Sequence, residues 1–215
     1  MSHDDFAFEP VKGLPERPPE HERILWQGRP DTWALAREAY KINWITGYFA
    51  VIIGWRASMG ALDGGAAGAF AFGLPYALLW AAAMVVVLLL AFVAARSTVY
   101  TITTARVAMR IGAALTVTLK LPFRQIANAD LKLRNDGSGT IALETLGETK
   151  FSYLILWPHA RPGHVRVTNP ALRCIPEAAK IAALLAEAAE ARISQPVIER
   201  KTSATAPAGD LVAAE

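Results

Sequence analysis

An uncharged run at positions 70–95, FAFGLPYALLWAAAMVVVLLLAFVAA, limits the possible folds of this chain more than any other feature. It is 26 residues long, and roughly 20 predominantly apolar residues suffice to cross the hydrocarbon core of a bilayer. A buried helix of this length in a water-soluble protein would show a polar face, and this run shows none. Pro75 lies near the start of the run, where a proline disrupts a helix least. The run therefore predicts a transmembrane helix.

A second, shorter apolar run covers residues 42–59, INWITGYFAVIIGWRASM. It carries Arg56 near its far end, and a long basic side chain there can reach the headgroups. The glycine-rich segment ALDGGAAGA joins the two runs, so residues 42–95 are predicted to form a transmembrane hairpin. Gly47 and Gly54 put small residues on the first span, which permits another helix to approach closely.

Basic residues flank both ends of this hairpin, whereas the connecting loop offers only Arg56 at its edge. The positive-inside rule then predicts a multi-pass protein with both termini in the cytoplasm. Residues 24–41 are predicted to form an interfacial helix, chiefly over positions 31–41, because amphipathic aromatic residues cluster there. The alternative is an amphipathic helix that covers the following domain. The predicted membrane-interface residues are Trp26, Trp33, Tyr40, Lys41, Trp44 and Arg96.

The two ends of the chain are predicted to be disordered. Residues 1–23 are polar, charged and rich in proline, and they lack the basic and apolar regions of a cleavable signal peptide. Residues 194–215 hold few bulky apolar side chains. Cys174 is the only cysteine, so no internal disulfide is expected.

From Ser97 onward the pattern changes to short runs rich in Val, Ile, Thr and aromatic residues, separated by turn signals. The six predicted strands are STVYTITT, RVAMRIG, ALTVTLKL, IANADLKLRN, GTIALETL and ETKFSYLIL, and HVRVTN is a candidate seventh. Such spacing is typical of a sandwich or small barrel. A helix begins near Pro176 and has an apolar stripe wide enough to cap an open barrel. The sequence thus predicts a membrane-anchored α+β protein whose β-domain covers residues 97–193.

The order of these elements resembles the bacterial membrane-associated PH-domain family. The matching features are ERILWQGRP at 22–30 before a two-helix hairpin, YTITTAR at 100–106, then Gly112, Leu121-Pro122 and Ile126. The resemblance covers about residues 20–193. It implies a PH-like β-barrel of six to seven strands, capped by the C-terminal helix, and it transfers no catalytic residues.

Within that family, RILWQGRPDTWALAREAYKI and LILWPHARPGHVRVTNPALRCIP resemble segments of photosynthetic-complex assembly proteins of purple bacteria. This resemblance implies assembly of the reaction centre and its core light-harvesting antenna at the inner (intracytoplasmic) membrane. The implied partners are reaction-centre polypeptides, core-antenna polypeptides and membrane lipids. The alternative is a general PH-like scaffold or an anionic-lipid-binding module. The resemblance leaves three questions open: which client subunit is bound, whether pigment is handled and whether the chain forms homo-oligomers.

No pattern predicts an enzyme, a cofactor or a metal site. The histidines are His3, His21, His159 and His164, and the last two lie in the loop WPHARPGH without the paired spacing of zinc ligands. The sequence has no nucleophile motif and no phosphate loop. Nucleic-acid binding is not expected, because no aromatic RNA-binding signature is present.

Charge separates the β-domain from the rest of the chain. Residues 96–169 hold ten Lys or Arg against four acids, a net +6, whereas the whole chain has a net charge of +3. A basic domain beside the anionic cytoplasmic leaflet gains about 1 kcal/mol for each basic residue near the surface. The alternative is a solubilising charge spread around the domain. The candidate lipid or partner contacts are Arg106, Arg110, Lys120, Arg124, His159, Arg161, His164 and Arg166.

Overall fold

The structure, a computed structural model, describes residues 13–14, 16–112, 116–147, 152–163 and 168–194. Of the predicted disordered segments 1–23 and 194–215, residues 1–12, 15 and 195–215 lie outside these ranges, whereas Glu22 in the described part of the first segment pairs with Arg106. The elements are β1 (Ile24–Gly28), α1 (Thr32–Glu38), α2 (Ile42–Ser97), β2 (Val99–Thr103), β3 (Arg106–Ile111), β4 (Val117–Pro122), a 3-10 turn (Phe123–Gln125), β5 (Ile126–Leu133), β6 (Gly139–Thr145), α3 (Tyr153–Leu156), β7 (Ala171–Ile175) and α4 (Ala178–Ile193).

Two antiparallel sheets form the β-domain, in the orders β1-β2-β3-β4 and β5-β6-β7. Their inner faces bury a core that includes Tyr100, Met109, Leu143 and Leu172. Helix α4 adds side chains at helical spacing: Ile181, Leu185 and Ala188. This arrangement confirms the predicted PH-like domain with a C-terminal helix.

Strand β1 corrects the prediction of a helix over residues 24–41. It pairs antiparallel with β2, placing Ile24 opposite Thr103 and Gly28 opposite Tyr100. The side chain of Trp26 packs against the main core instead of lying at a membrane interface. The whole of α1 and α2 is therefore inserted between the first two strands of the domain.

Helix α2 is a hairpin. It is broken at Gly64 and at Gly65, which has a φ of 59° that suits glycine, so the two arms turn within two residues. The connection is thus shorter than the predicted loop, and both helical arms extend beyond the predicted runs. The arms pack closely at Gly60 and Gly68, where a Cβ on either glycine would overlap the backbone of the other. In the described part of the chain, α2 is the one helix long and apolar enough to cross a membrane.

Two other predictions fail on the C-terminal side of the domain. The described part of ETKFSYLIL forms the one-turn helix α3, not a strand. The last strand is β7, ALRCI, whereas residues 164–167 of the candidate strand HVRVTN lie outside the described residues. Strand β7 is buried along its full length, so its sequence reads as a short apolar run without alternation.

Candidate functional site at the base of the hairpin

Helix α1, the lower ends of both arms, the segment around α3 and strand β7 meet at one place. Asp31 caps α1 by accepting a 2.7 Å hydrogen bond from the Ala34 N–H, and its own N–H donates to the carbonyl oxygen of Cys174. Leu35 packs with Ala95 and Cys174 in a small buried cluster. Helix α1 thus covers the base of the β-domain, as the alternative interpretation of this segment expected.

A cleft of about 610 Å³ opens beside α1, and we call it the basic cleft. Its charged lining residues are Arg37, Glu38, Lys41, Lys132, Arg134, Asp136 and Arg173. Glu38 accepts an ion pair from Arg134 at 2.9 Å and another from Arg173 at 3.6 Å. Five basic residues face only two acidic ones, so the cleft keeps a positive excess that favours an anionic ligand.

Behind this cleft lies a buried polar network centred on His159. The Thr98 hydroxyl donates to the Ala94 carbonyl oxygen at 2.7 Å, so it accepts from Nε2 of His159, which lies 2.9 Å away. Nδ1 of the ring then accepts a 2.6 Å hydrogen bond from the Tyr100 hydroxyl, which itself accepts from the Arg173 N–H. The network joins the end of α2 to β2 and β7.

The structure corrects the prediction that His159 contacts a lipid or a partner. Its side chain is only 1% exposed. Burial, reinforced by the nearby Arg173 charge, lowers the pKa of His159 to about 3, so the ring is neutral at physiological pH. Its role is to hold the base of the hairpin against the sheet.

Three exposed apolar side chains stand on the other side of the base, and we call them the α3 face: Leu154, Ile155 and Trp157. The Trp157 ring packs edge-to-face against Tyr40 with 5.1 Å between centroids. The Tyr40 hydroxyl in turn donates a hydrogen bond to the carbonyl oxygen of Leu90, and the two oxygens are 3.4 Å apart. The α3 face therefore adjoins the second arm of the hairpin.

The structure brings most of the predicted membrane-interface residues together at this base. Trp33 and Trp44 are exposed, and the Arg37 guanidinium lies 5.2 Å from the centre of the Trp33 ring. Lys41 and Arg96 are exposed at the lower ends of the two arms. Trp26, in β1, is the exception.

The register of β3 and β4 puts Arg106, Arg110 and Lys120 on one face of the first sheet, the face away from the core. Arg106 binds both carboxylate oxygens of Glu22, at 2.8 and 2.7 Å, and lies opposite Pro122 at the end of the sheet away from the hairpin. Arg124 follows β4 in the 3-10 turn, whereas Arg161 pairs with Asp130 of the second sheet and so lies apart from these three. His164 and Arg166 lie outside the described residues.

Sequence reasoning missed the residues that meet around Glu38. Arg173 offered a usable signal, because an arginine inside the apolar run ALRCI needs a buried partner. Nothing local to Glu38 or Arg134 identifies either as that partner. Within the described ranges, no group of three or more His, Cys, Asp or Glu side chains is placed to hold a metal ion.

Comparison with known proteins adds a family match and a relative. Residues 49–189 match the bacterial PH domain family. A protein of Rhodobacter capsulatus, described as an uncharacterized 23.7 kDa protein in the puhA 5′ region, is 50% identical over 200 residues. The alignment covers 92% of this chain and 94% of the relative. No solved structure matches the chain.

Proposed function

Because this chain belongs to the bacterial PH domain family, we propose that it is a membrane-anchored, non-enzymatic assembly factor for the photosynthetic reaction centre and its core light-harvesting complex. The family is generally non-catalytic. The observation that carries the proposal is the long alignment with a relative encoded beside puhA, which supports a photosynthesis-related role.

The surface of the hairpin supports the membrane anchor. Large apolar side chains are exposed on both arms, among them Trp55 and Leu62 on the first and Leu78 and Val85 on the second. A contiguous apolar surface of this size is unfavourable in water, and lipid would cover it. Since β1 and β2 pair across the hairpin, both of its ends lie on one side of any bilayer that it crosses. The basic cleft at that end favours the cytoplasmic side.

The first arm offers a surface for a client helix. A Cβ at Gly47 or Gly54 would meet no atom within 4 Å in the described part of the chain, whereas Gly60 and Gly68 are used in the contact between the arms. Trp44, Gly47, Tyr48 and Val51 line a shallow groove on this outward side. Small residues there permit close packing against a transmembrane helix of a client.

Affinity purification tests this assignment. The tagged protein, extracted from photosynthetic membranes, is expected to recover reaction-centre or core-antenna polypeptides. The double variant Gly47→Leu/Gly54→Leu should recover much less, because the added side chains hold a client helix away. The matched control is Ala81→Leu/Ala82→Leu, on the exposed second arm. Recovery of no such polypeptide by the unaltered protein would contradict the proposal.

Absorption spectra of membranes provide an independent test of the process. Deletion of the gene is expected to reduce the bands of the reaction centre and core antenna selectively, and expression of the unaltered chain should restore them. Unchanged spectra in the deletion strain would argue against a role in assembly.

The basic cleft favours a second candidate function, the binding of anionic lipid headgroups. For the full chain in lipid nanodiscs, spin-labelled phosphatidylglycerol should be immobilised in a salt-sensitive manner. Lys41→Gln/Lys132→Gln should weaken that signal, whereas Lys120→Gln/Arg124→Gln, outside the cleft, should leave it unchanged. Equal effects of the two double variants would contradict a headgroup site in the cleft.

A further inference from the structure

The α3 face is an apolar surface on the β-domain that this domain leaves uncovered. Leu154 is 86% exposed and Ile155 is 58% exposed, whereas Leu156, the next residue, is buried in the main core. Trp157 follows at 42% exposure. This helical turn is thus fixed to the domain by Tyr153 and Leu156 and presents Leu154 and Ile155 outward.

The depth of the α3 face can be estimated from the second arm of the hairpin. Phe70 is the first residue of the uncharged run, and a stretch of 20 residues that begins there ends at Leu89. Roughly 20 helical residues cross the hydrocarbon core. Ile155 and Trp157 line a cavity of about 180 Å³ together with Leu90 and Val93, just beyond that point. The α3 face therefore lies beside the hairpin at the level where hydrocarbon meets headgroups.

The neighbours of the α3 face fit a lipid occupant. Its apolar surface adjoins the exposed second arm, where Leu90 is 49% exposed and Val93 is 40% exposed. Trp157 packs on Tyr40, and both residue types are enriched at membrane–water interfaces. Lys41 and Arg96 are exposed at the same base and suit anionic headgroups.

We propose that α3 and Trp157 insert into the interfacial layer of the bilayer and form a third membrane contact besides the two arms. This inference rests on the proposed membrane anchor. The packed base already joins the domain to the hairpin, and a contact to one side of the arms fixes the tilt of both relative to the bilayer. The basic cleft and the end of the sheet that carries Arg106 then keep constant orientations relative to the membrane.

The insertion is tested in the full chain by attaching a fluorescent label to a cysteine and measuring how strongly spin-labelled lipids quench it. The native Cys174 is fully buried, and burial, with the Glu38 charge adding to it, raises the pKa of its thiol to about 12. An introduced cysteine can therefore be labelled in its presence, and the unaltered chain measures any background. The labelled positions are Leu154→Cys and Ile155→Cys on the α3 face, Leu78→Cys in the hairpin and Glu187→Cys on α4.

The protein is reconstituted into phosphatidylcholine and phosphatidylglycerol vesicles that contain no other protein. Labels at positions 154 and 155 are expected to show blue-shifted emission and stronger quenching by lipids spin-labelled near the headgroup than near the chain terminus. The label at position 78 should be quenched best by the deep spin label. The label at position 187 should be quenched by neither, because Glu187 lies near Thr104, beyond the end of β2 that points away from the hairpin.

Different results would contradict the membrane anchor and the third membrane contact. If positions 154 and 155 behave like position 187 while position 78 is quenched, the third contact is overturned and the hairpin anchor stands. If position 78 is not quenched by the deep label, the anchor is overturned and the third contact falls with it.

Discussion

At the scale of single residues, His159 is held neutral by its surroundings. Each ring nitrogen has one partner, the Thr98 hydroxyl for Nε2 and the Tyr100 hydroxyl for Nδ1. Protonation would add a second N–H where the Tyr100 hydroxyl now donates, and it would place a charge in a buried position near Arg173. The network is therefore sensitive to acid.

This sensitivity predicts a pH dependence of stability. The folded-state pKa of His159, about 3, lies below the ordinary value of 6.5, so its contribution is complete above pH 6.5 and is lost as the pH falls toward 3. Between pH 7 and pH 5 the loss should be about 2 kcal/mol. Denaturant unfolding in detergent, followed by tryptophan fluorescence, should show this loss for the unaltered protein. His159→Gln should show a smaller loss, and equal losses would contradict the assignment.

Glu38 carries a second prediction at this scale. Arg173 is 4% exposed, so Glu38→Gln leaves a buried guanidinium without its carboxylate. We expect a loss of about 1–3 kcal/mol in the free energy of unfolding. Asp130→Asn removes the partner of Arg161 in an exposed pair and should cost less than about 1 kcal/mol. The same unfolding measurement compares the two, and similar losses would contradict a special role for Glu38.

At the scale of elements, the contact between the two arms depends on glycine. A Cβ on Gly68 would overlap the carbonyl oxygen of Gly60, whereas a Cβ on Gly54 would meet no described atom within 4 Å. Gly68→Ala should destabilise the hairpin by about 1–3 kcal/mol through overpacking. Gly54→Ala should be neutral or mildly stabilising, because alanine favours a helix. Thermal unfolding midpoints in detergent compare the variants, and equal midpoints would show that the arms do not pack at Gly68.

Sequence patterns predicted the elements that carry their own signal. The uncharged run in α2 follows from composition, and strands β2 to β6 follow from short runs of strand-forming residues bounded by turns. Strand β1 has only five residues, and its partner lies beyond the hairpin, so nothing local distinguishes it from the start of a helix. Helix α3 was missed because LIL is equally typical of a strand. The meeting of Glu38 with Arg134 and Arg173 depends on tertiary packing, which no single-chain pattern encodes.

At the scale of the whole molecule, the β-domain requires residues from both sides of the hairpin. A fragment of residues 97–193 lacks β1, which covers one edge of β2, and it lacks Trp26, which packs on the core. We expect this fragment to aggregate or to lack a cooperative thermal transition by circular dichroism. A chain that joins residues 13–41 to 98–194 through a Gly-Ser linker should regain the transition. Cooperative folding of the shorter fragment alone would contradict the need for β1.

The insertion of the hairpin between β1 and β2 sets an order of events during biosynthesis. Seventy residues separate the two strands, so β1 leaves the ribosome well before the strand that it must pair with. If the arms enter the lipid as proposed, they can do so during that delay, and the sheet closes only when the returning chain reaches the side of the bilayer where β1 lies. In a nascent protein whose second arm did not cross back, β1 and β2 would lie on opposite sides of the bilayer and could not pair. Under the proposed anchor, completion of the sheet therefore requires that both arms have crossed the bilayer.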